Sequence, residues 1–136
     1  MTQPDRQSQV YTVLQIDGVP PGVNHYVKHT RNGIHYVDSS AKEFKALVAL
    51  ACIGKEPVYG HTFEVEITVM LGKGKRGDVD GFPKLVLDAI AQKGMLRNVT
   101  TGKPMSDAHV SRLVVQKERG ERSMTTVELM GIQAPA

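Results

Sequence analysis

Phe63-Glu64-Val65-Glu66-Ile67-Thr68-Val69-Met70-Leu71 is the stretch on which the fold turns. Phe63, Val65, Ile67, Val69 and Leu71 alternate without exception against Glu64, Glu66, Thr68 and Met70, the period of two that marks a strand with one buried face. Upstream, Ser39-Ser40 offers an N-cap and Ala41 to Ile53 reads as an amphipathic helix closed by Gly54. Its apolar stripe is Phe44, Leu47, Val48, Leu50 and Ala51, spaced to pack against a sheet. Downstream, Leu85, Val86, Ala89 and Ile90 form the apolar face of a second helix ending near Gly94, with Pro83 tolerated in its first turn. Val10 to Ile16 reads as a first strand, ended by Asp17-Gly18-Val19-Pro20-Pro21-Gly22. Two more strands are expected at about 108–116 and 124–132, joined by a charged turn, Lys117-Glu118-Arg119-Gly120-Glu121-Arg122. The expectation is an α+β fold: one domain over 10–133, with a mixed sheet of about four strands and helices at about 40–53 and 82–93 packed on it. Residues 1–9 read as a polar tail and 134–136 as a frayed end.

With 136 residues the chain can bury a core without disulfides or a structural metal. A single cysteine, Cys52, leaves no intrachain disulfide and no cysteine-based zinc site, and points to a reducing compartment. Its place inside an apolar helical run suits a small hydrophobe rather than a reactive thiol. No stretch approaches a membrane span and the first residues lack an apolar signal core, so a cytoplasmic location is expected. Seventeen Lys and Arg against fourteen Asp and Glu give a net charge of +3, which permits a polyanionic partner without demanding one.

Cations cluster in two places. Between Val23 and Asp38 lie Asn24, Tyr26, Lys28 and Arg31, with Tyr36, a set able to follow a phosphate backbone and stack a base; an ordinary solvated loop explains the same residues. His25, His29 and His35 lack the thiolate or carboxylate companions of a zinc site. The second cluster, Gly72-Lys73-Gly74-Lys75-Arg76-Gly77, alternates cations with glycines that let backbone approach a ligand.

That basic loop runs into Asp78-Val79-Asp80-Gly81-Phe82-Pro83-Lys84. On extended backbone Asp78 and Asp80 share a face, and their hard oxygens suit Mg²⁺, which fills its remaining positions with water and phosphate. Lys84, four residues past Asp80, would rise from the same side of a helix, and a third carboxylate, Asp107, stands at the start of a later apolar run. Each has an ordinary alternative: Asp80 as a helix N-cap, Asp107 as a turn residue, Lys84 as a solvated charge.

The order of parts resembles the RusA family of Holliday-junction resolvases, small homodimeric endonucleases of bacteria and their phages. A first strand followed by Pro20-Pro21 and then Asn24 and Tyr26 is similar to the family's N-terminal pattern. Asp78, Asp80, Lys84 and Asp88-Ala89 match its Asp-x-Asp, lysine and Asp-Ala spacing, and Asp107-Ala108-His109-Val110 matches its third aspartate before a strand. The resemblance spans roughly 10–132. It departs at Gly77, Gly81 and Ser106, where the family carries polar or charged residues, which bears on junction selectivity and turnover more than on metal binding.

The resemblance implies that Asp78, Asp80 and Asp107 bind one or two Mg²⁺ ions, which Mn²⁺ may replace, and that Lys84 assists catalysis. It implies a homodimer that resolves four-way DNA by paired phosphodiester cleavage in recombination and repair. DNA contacts would fall to Asn24, Tyr26, Lys28, Arg31, Lys73, Lys75 and Arg76. The alternatives are a nuclease of relaxed selectivity for flaps and forks, or a non-catalytic DNA-binding protein on the same fold.

Overall fold

A computed structural model of the chain describes residues 10–21, 27–29, 35–37, 39–75, 77 and 79–133, with 27–29, 35–37, Ser39 and Asp80 described by backbone alone. The elements are β1 (Tyr11–Ile16), β2 (Val27–His29), β3 (His35–Val37), α1 (Ser39–Cys52), β4 (Val58–Gly60), β5 (Thr62–Leu71), α2 (Pro83–Gln92), β6 (Leu96–Asn98), β7 (Val110–Arg119) and β8 (Met124–Ile132). Two 3₁₀ turns, Val79–Gly81 and Asp107–His109, precede α2 and β7. The chain is thus α+β, a mixed four-stranded sheet carrying two helices, as the periodicities imply.

The sheet runs β1-β8-β5-β7. β8 is antiparallel to both β1 and β5, whereas β5 and β7 are parallel. A parallel pair needs a long crossover, and this one contains the basic loop, both 3₁₀ turns and α2. The buried face comes from the alternation on β5, where Phe63, Val65, Ile67, Val69 and Leu71 are all at most 2 % exposed. In register beside them lie Leu14 and Ile16 from β1 and Val127 and Leu129 from β8. Phe44 and Val48 of α1, and Leu85, Val86, Ala89 and Ile90 of α2, complete the core.

Several boundaries differ from expectation for identifiable reasons. Leu50 is 64 % exposed, so the α1 stripe follows Phe44, Val48 and Ala51 and leaves Leu50 outside. The segment read as a connector after Met95 holds β6, which pairs in parallel with β4. Part of the segment read as a loop forms the antiparallel pair β2 and β3. The charged turn is shorter than expected: Lys117, Glu118 and Arg119 belong to β7, paired opposite Val69, Met70 and Leu71. That strand also starts later, because Asp107, Ala108 and His109 form the 3₁₀ turn. No helix among the described residues is long and apolar enough to cross a membrane.

Candidate functional site

Gly72 ends β5, and its N–H donates to Ser123 Oγ at 3.0 Å, tying the start of the basic loop to the β7–β8 connection. Lys75 N–H returns to Gly72 O at 3.1 Å across a turn with Gly74 at φ +81°, a conformation glycine adopts without strain. Lys73 and Lys75 are exposed.

Two side chains that the sequence reading assigned to a turn hold this loop. Arg119 Nη1 donates to Lys75 O at 2.7 Å, and Lys117 Nζ donates to Gly77 O at 3.3 Å. The two carbonyls flank Arg76, so β7 grips the loop on either side of it. The signal was present: Leu113, Val115, Lys117 and Arg119 share one face of β7 by the same period of two that defines β5.

Gly77 then lies on the ring of Phe82, which is fully buried. A Cβ at position 77 would fall 2.5 Å from Phe82 Cζ, so a side chain there requires the ring to move. This is the physical basis of one departure noted above: in this chain the residue before Asp78 is small because Phe82 occupies the space.

Asp80 lies in the first 3₁₀ turn, and the N-cap position of α2 belongs to Phe82, whose backbone is already helical (φ −82°, ψ −40°) and which offers no side-chain cap. Asp80 therefore does not occupy the N-cap. At the second turn, Ser106 is the cap: its backbone is extended and its Oγ accepts from Ala108 N–H at 3.3 Å. Asp107 is half-buried; its backbone carbonyl accepts from Val110 N–H, while its carboxylate has no hydrogen bond or ion pair among the described residues.

Both 3₁₀ turns lie against α2, and the first also lies against β7. The crossover thereby brings the backbone of Asp80 and the 3₁₀ turn that bears Asp107 against α2, whose first turn carries the exposed Lys84. Lys84 and the half-buried Asp88, four residues apart, form no ion pair with each other. Among the described residues no group of three His, Cys, Asp or Glu side chains stands ready to hold a metal. Asp78 and the side chain of Asp80 lie outside the described residues, as do Asn24, Tyr26, Arg31 and Arg76 and the side chain of Lys28.

The chain matches no known family model and no curated protein.

A cleft of about 380 Å³ opens at the loop end of the sheet, bounded by Pro20, Pro21, Ser40, Glu43, Phe44 and Lys75. It joins the Pro-Pro turn to the basic loop, two segments far apart in sequence. Thr125 Oγ1 fixes that turn by donating to Gly18 O at 2.7 Å. Elsewhere, burial pushes the half-buried Cys52 thiol up, with a smaller opposing influence from Lys93, so nothing activates it as a nucleophile.

Proposed function

We propose that this protein is a metal-dependent endonuclease acting on branched DNA, with four-way junctions the preferred substrate. The observation that carries the reading is the convergence on α2 of the two 3₁₀ turns bearing Asp80 and Asp107, with the capping positions held by Phe82 and Ser106. Asp80 is not the N-cap of α2, which removes the ordinary explanation offered for it, while Asp107 stands in a 3₁₀ turn that Ser106 already caps.

The donor chemistry fits a divalent cation. Asp107 presents a half-buried carboxylate without a described partner, and carboxylates are the ligands Mg²⁺ takes from protein. Asp78, Asp80 and Asp107 would hold the ion. Once bound, the ion supplies a polarised water and neutralises charge developing on the scissile phosphate. Lys84, on the first turn of α2, would add a positive charge for the phosphate oxygens. Lys73 and Lys75 hold the adjoining DNA backbone, a sequence-independent contact that suits recognition of shape over sequence. A second copy of the chain, related by a two-fold axis, would bring a second site to the opposing strand.

Cleavage of a labelled four-way junction tests this reading, with linear duplex, flap and single-stranded controls, in Mg²⁺ or EDTA, for wild type and Asp80→Asn. Paired nicks in the junction that need both Mg²⁺ and Asp80 are the expected result. Equal cutting of flaps would widen the substrate to branched DNA in general. Tight junction binding with no cutting under any divalent metal would make the protein a binding module.

A further inference from the structure

Burial falls away across the sheet at one edge only. The register rows Leu14–Val127–Ile67–Val115 and Thr12–Leu129–Val65–Leu113 are buried across β1, β8 and β5. At β7, Val115 is half-buried and Leu113 is 40 % exposed. Every described residue of β7 is half-buried or exposed, and Val79 of the adjoining 3₁₀ turn is 40 % exposed as well. β7 is ten residues long and, among the described residues, has one side unpaired, the kind of edge that proteins normally cover.

The sequence of β7 complements itself. Set antiparallel to a second copy and centred on Val115, Arg112 faces the partner's Glu118 and Val114 faces the partner's Gln116. Leu113 then packs beside the aliphatic stem of the partner's Lys117, and Val115 meets its own symmetry mate. Neither Arg112 nor Glu118 has an ion-pair partner among the described residues. Glu118 stands opposite Met70 within its own sheet, while Arg112 stands opposite Glu64 without an ion pair to it.

We infer that β7 is the dimer surface, joining two copies edge to edge into one continuous eight-stranded sheet through an antiparallel β7–β7 pair. This deepens the two-fold arrangement contained in the reading above but stands on the edge itself. Antiparallel pairing about a two-fold axis normal to the sheet keeps α1 and α2 of both copies on one side. Both candidate sites then open towards the same substrate.

The test is the mass in solution at micromolar concentration, with each variant checked for a wild-type unfolding transition. Wild type is expected to be a dimer. Arg112→Glu and Glu118→Arg should each replace two attractive cross-strand pairs by repulsive ones and weaken the dimer by about tenfold or more. The double variant Arg112→Glu/Glu118→Arg should restore it. In a Cys52→Ala background, Arg112→Cys/Glu118→Cys should yield chains covalently paired under mild oxidation, because directly opposed Cα atoms lie about 4.5–5.5 Å apart. A monomeric wild type overturns the inference, and so does a dimer indifferent to both charge reversals or a double variant that fails to re-form. Junction cleavage measured on the same samples separates the outcomes: a monomer that still cuts spares the nuclease reading, while a β7-linked dimer that cuts nothing spares the dimer surface.

Discussion

β1 and β7 are the two edges of one sheet, yet Leu14 and Ile16 on β1 are fully buried while Leu113 on β7 is 40 % exposed. β1 is short and closed over. Helix α1 packs on it, and Thr12 Oγ1 donates to Glu56 O at 2.7 Å, drawing the 53–57 segment along the strand. β7 is long and open, and its side chains reach out to grip a basic loop instead of a core. The contrast teaches that the two edges divide the work: the β1 side holds the molecule together, and the β7 side, with the crossover that leads into it, carries the groups that the proposed nuclease would use.

That division can be broken by substitutions that should affect one side without the other. On the β7 side, Asp107→Asn should lower junction cleavage by about a hundredfold or more, a loss of charge stabilisation, while leaving the unfolding midpoint close to wild type. A large drop in stability with cleavage retained would return Asp107 to a structural role. On the β1 side, Leu14→Ala empties a site in the centre of the core and should cost about 2–5 kcal/mol by chemical denaturation, with cleavage per folded molecule unchanged.

Smaller effects sharpen the boundary. Lys73→Ala/Lys75→Ala should weaken junction binding and make its logarithmic salt dependence shallower by about two, one released counterion for each lost phosphate contact. An unchanged slope would send the DNA surface elsewhere. On the open face of the sheet, Tyr11 donates to Glu128 Oε1 at 2.6 Å, and that hydrogen bond, with burial and the carboxylates of Glu128 and Glu66, raises its phenol above the ordinary value. The sign follows: a raised folded pKa favours the protonated phenol, so any stabilisation is complete below the usual tyrosine value of about 10 and is lost as pH rises through the raised one. A spectrophotometric titration of Glu128→Gln should bring the phenol back down, while junction cleavage at neutral pH stays at its wild-type rate.

What was legible in the sequence was whatever a single period expresses. Phe63 to Leu71 alternates perfectly and becomes β5 with one residue added, Thr62, and the apolar spacing around Leu85 to Ile90 becomes α2. Leu50 was misleading because a leucine at helical spacing looks the same whether or not something covers it, and here nothing described does. β6 and β4 are three residues each and pair with one another across intervening elements, too short for a period to show. At the candidate site, the spacing from Asp80 predicted Lys84 near the start of a helix, and Lys84 lies in the first turn of α2. It could not reveal that Phe82 fills the room beside Gly77, nor that Lys117 and Arg119 return from β7 to hold the loop. The first depends on how a short irregular segment folds back on itself and the second joins distant segments, and local periodicity carries no record of either.

β8 is the last strand in order among the described residues, and it sits between β1 and β5 in the sheet. A ribosome therefore releases both of its neighbours before the strand that joins them exists. Until residues 124–132 emerge, β1 and β5 each present an apolar face and an unpaired edge with no sheet to close. The core cannot close before β8 has been made, and commitment to the native state awaits that strand. A truncation before Met124 would remove the strand that joins β1 to β5, the keystone of the sheet.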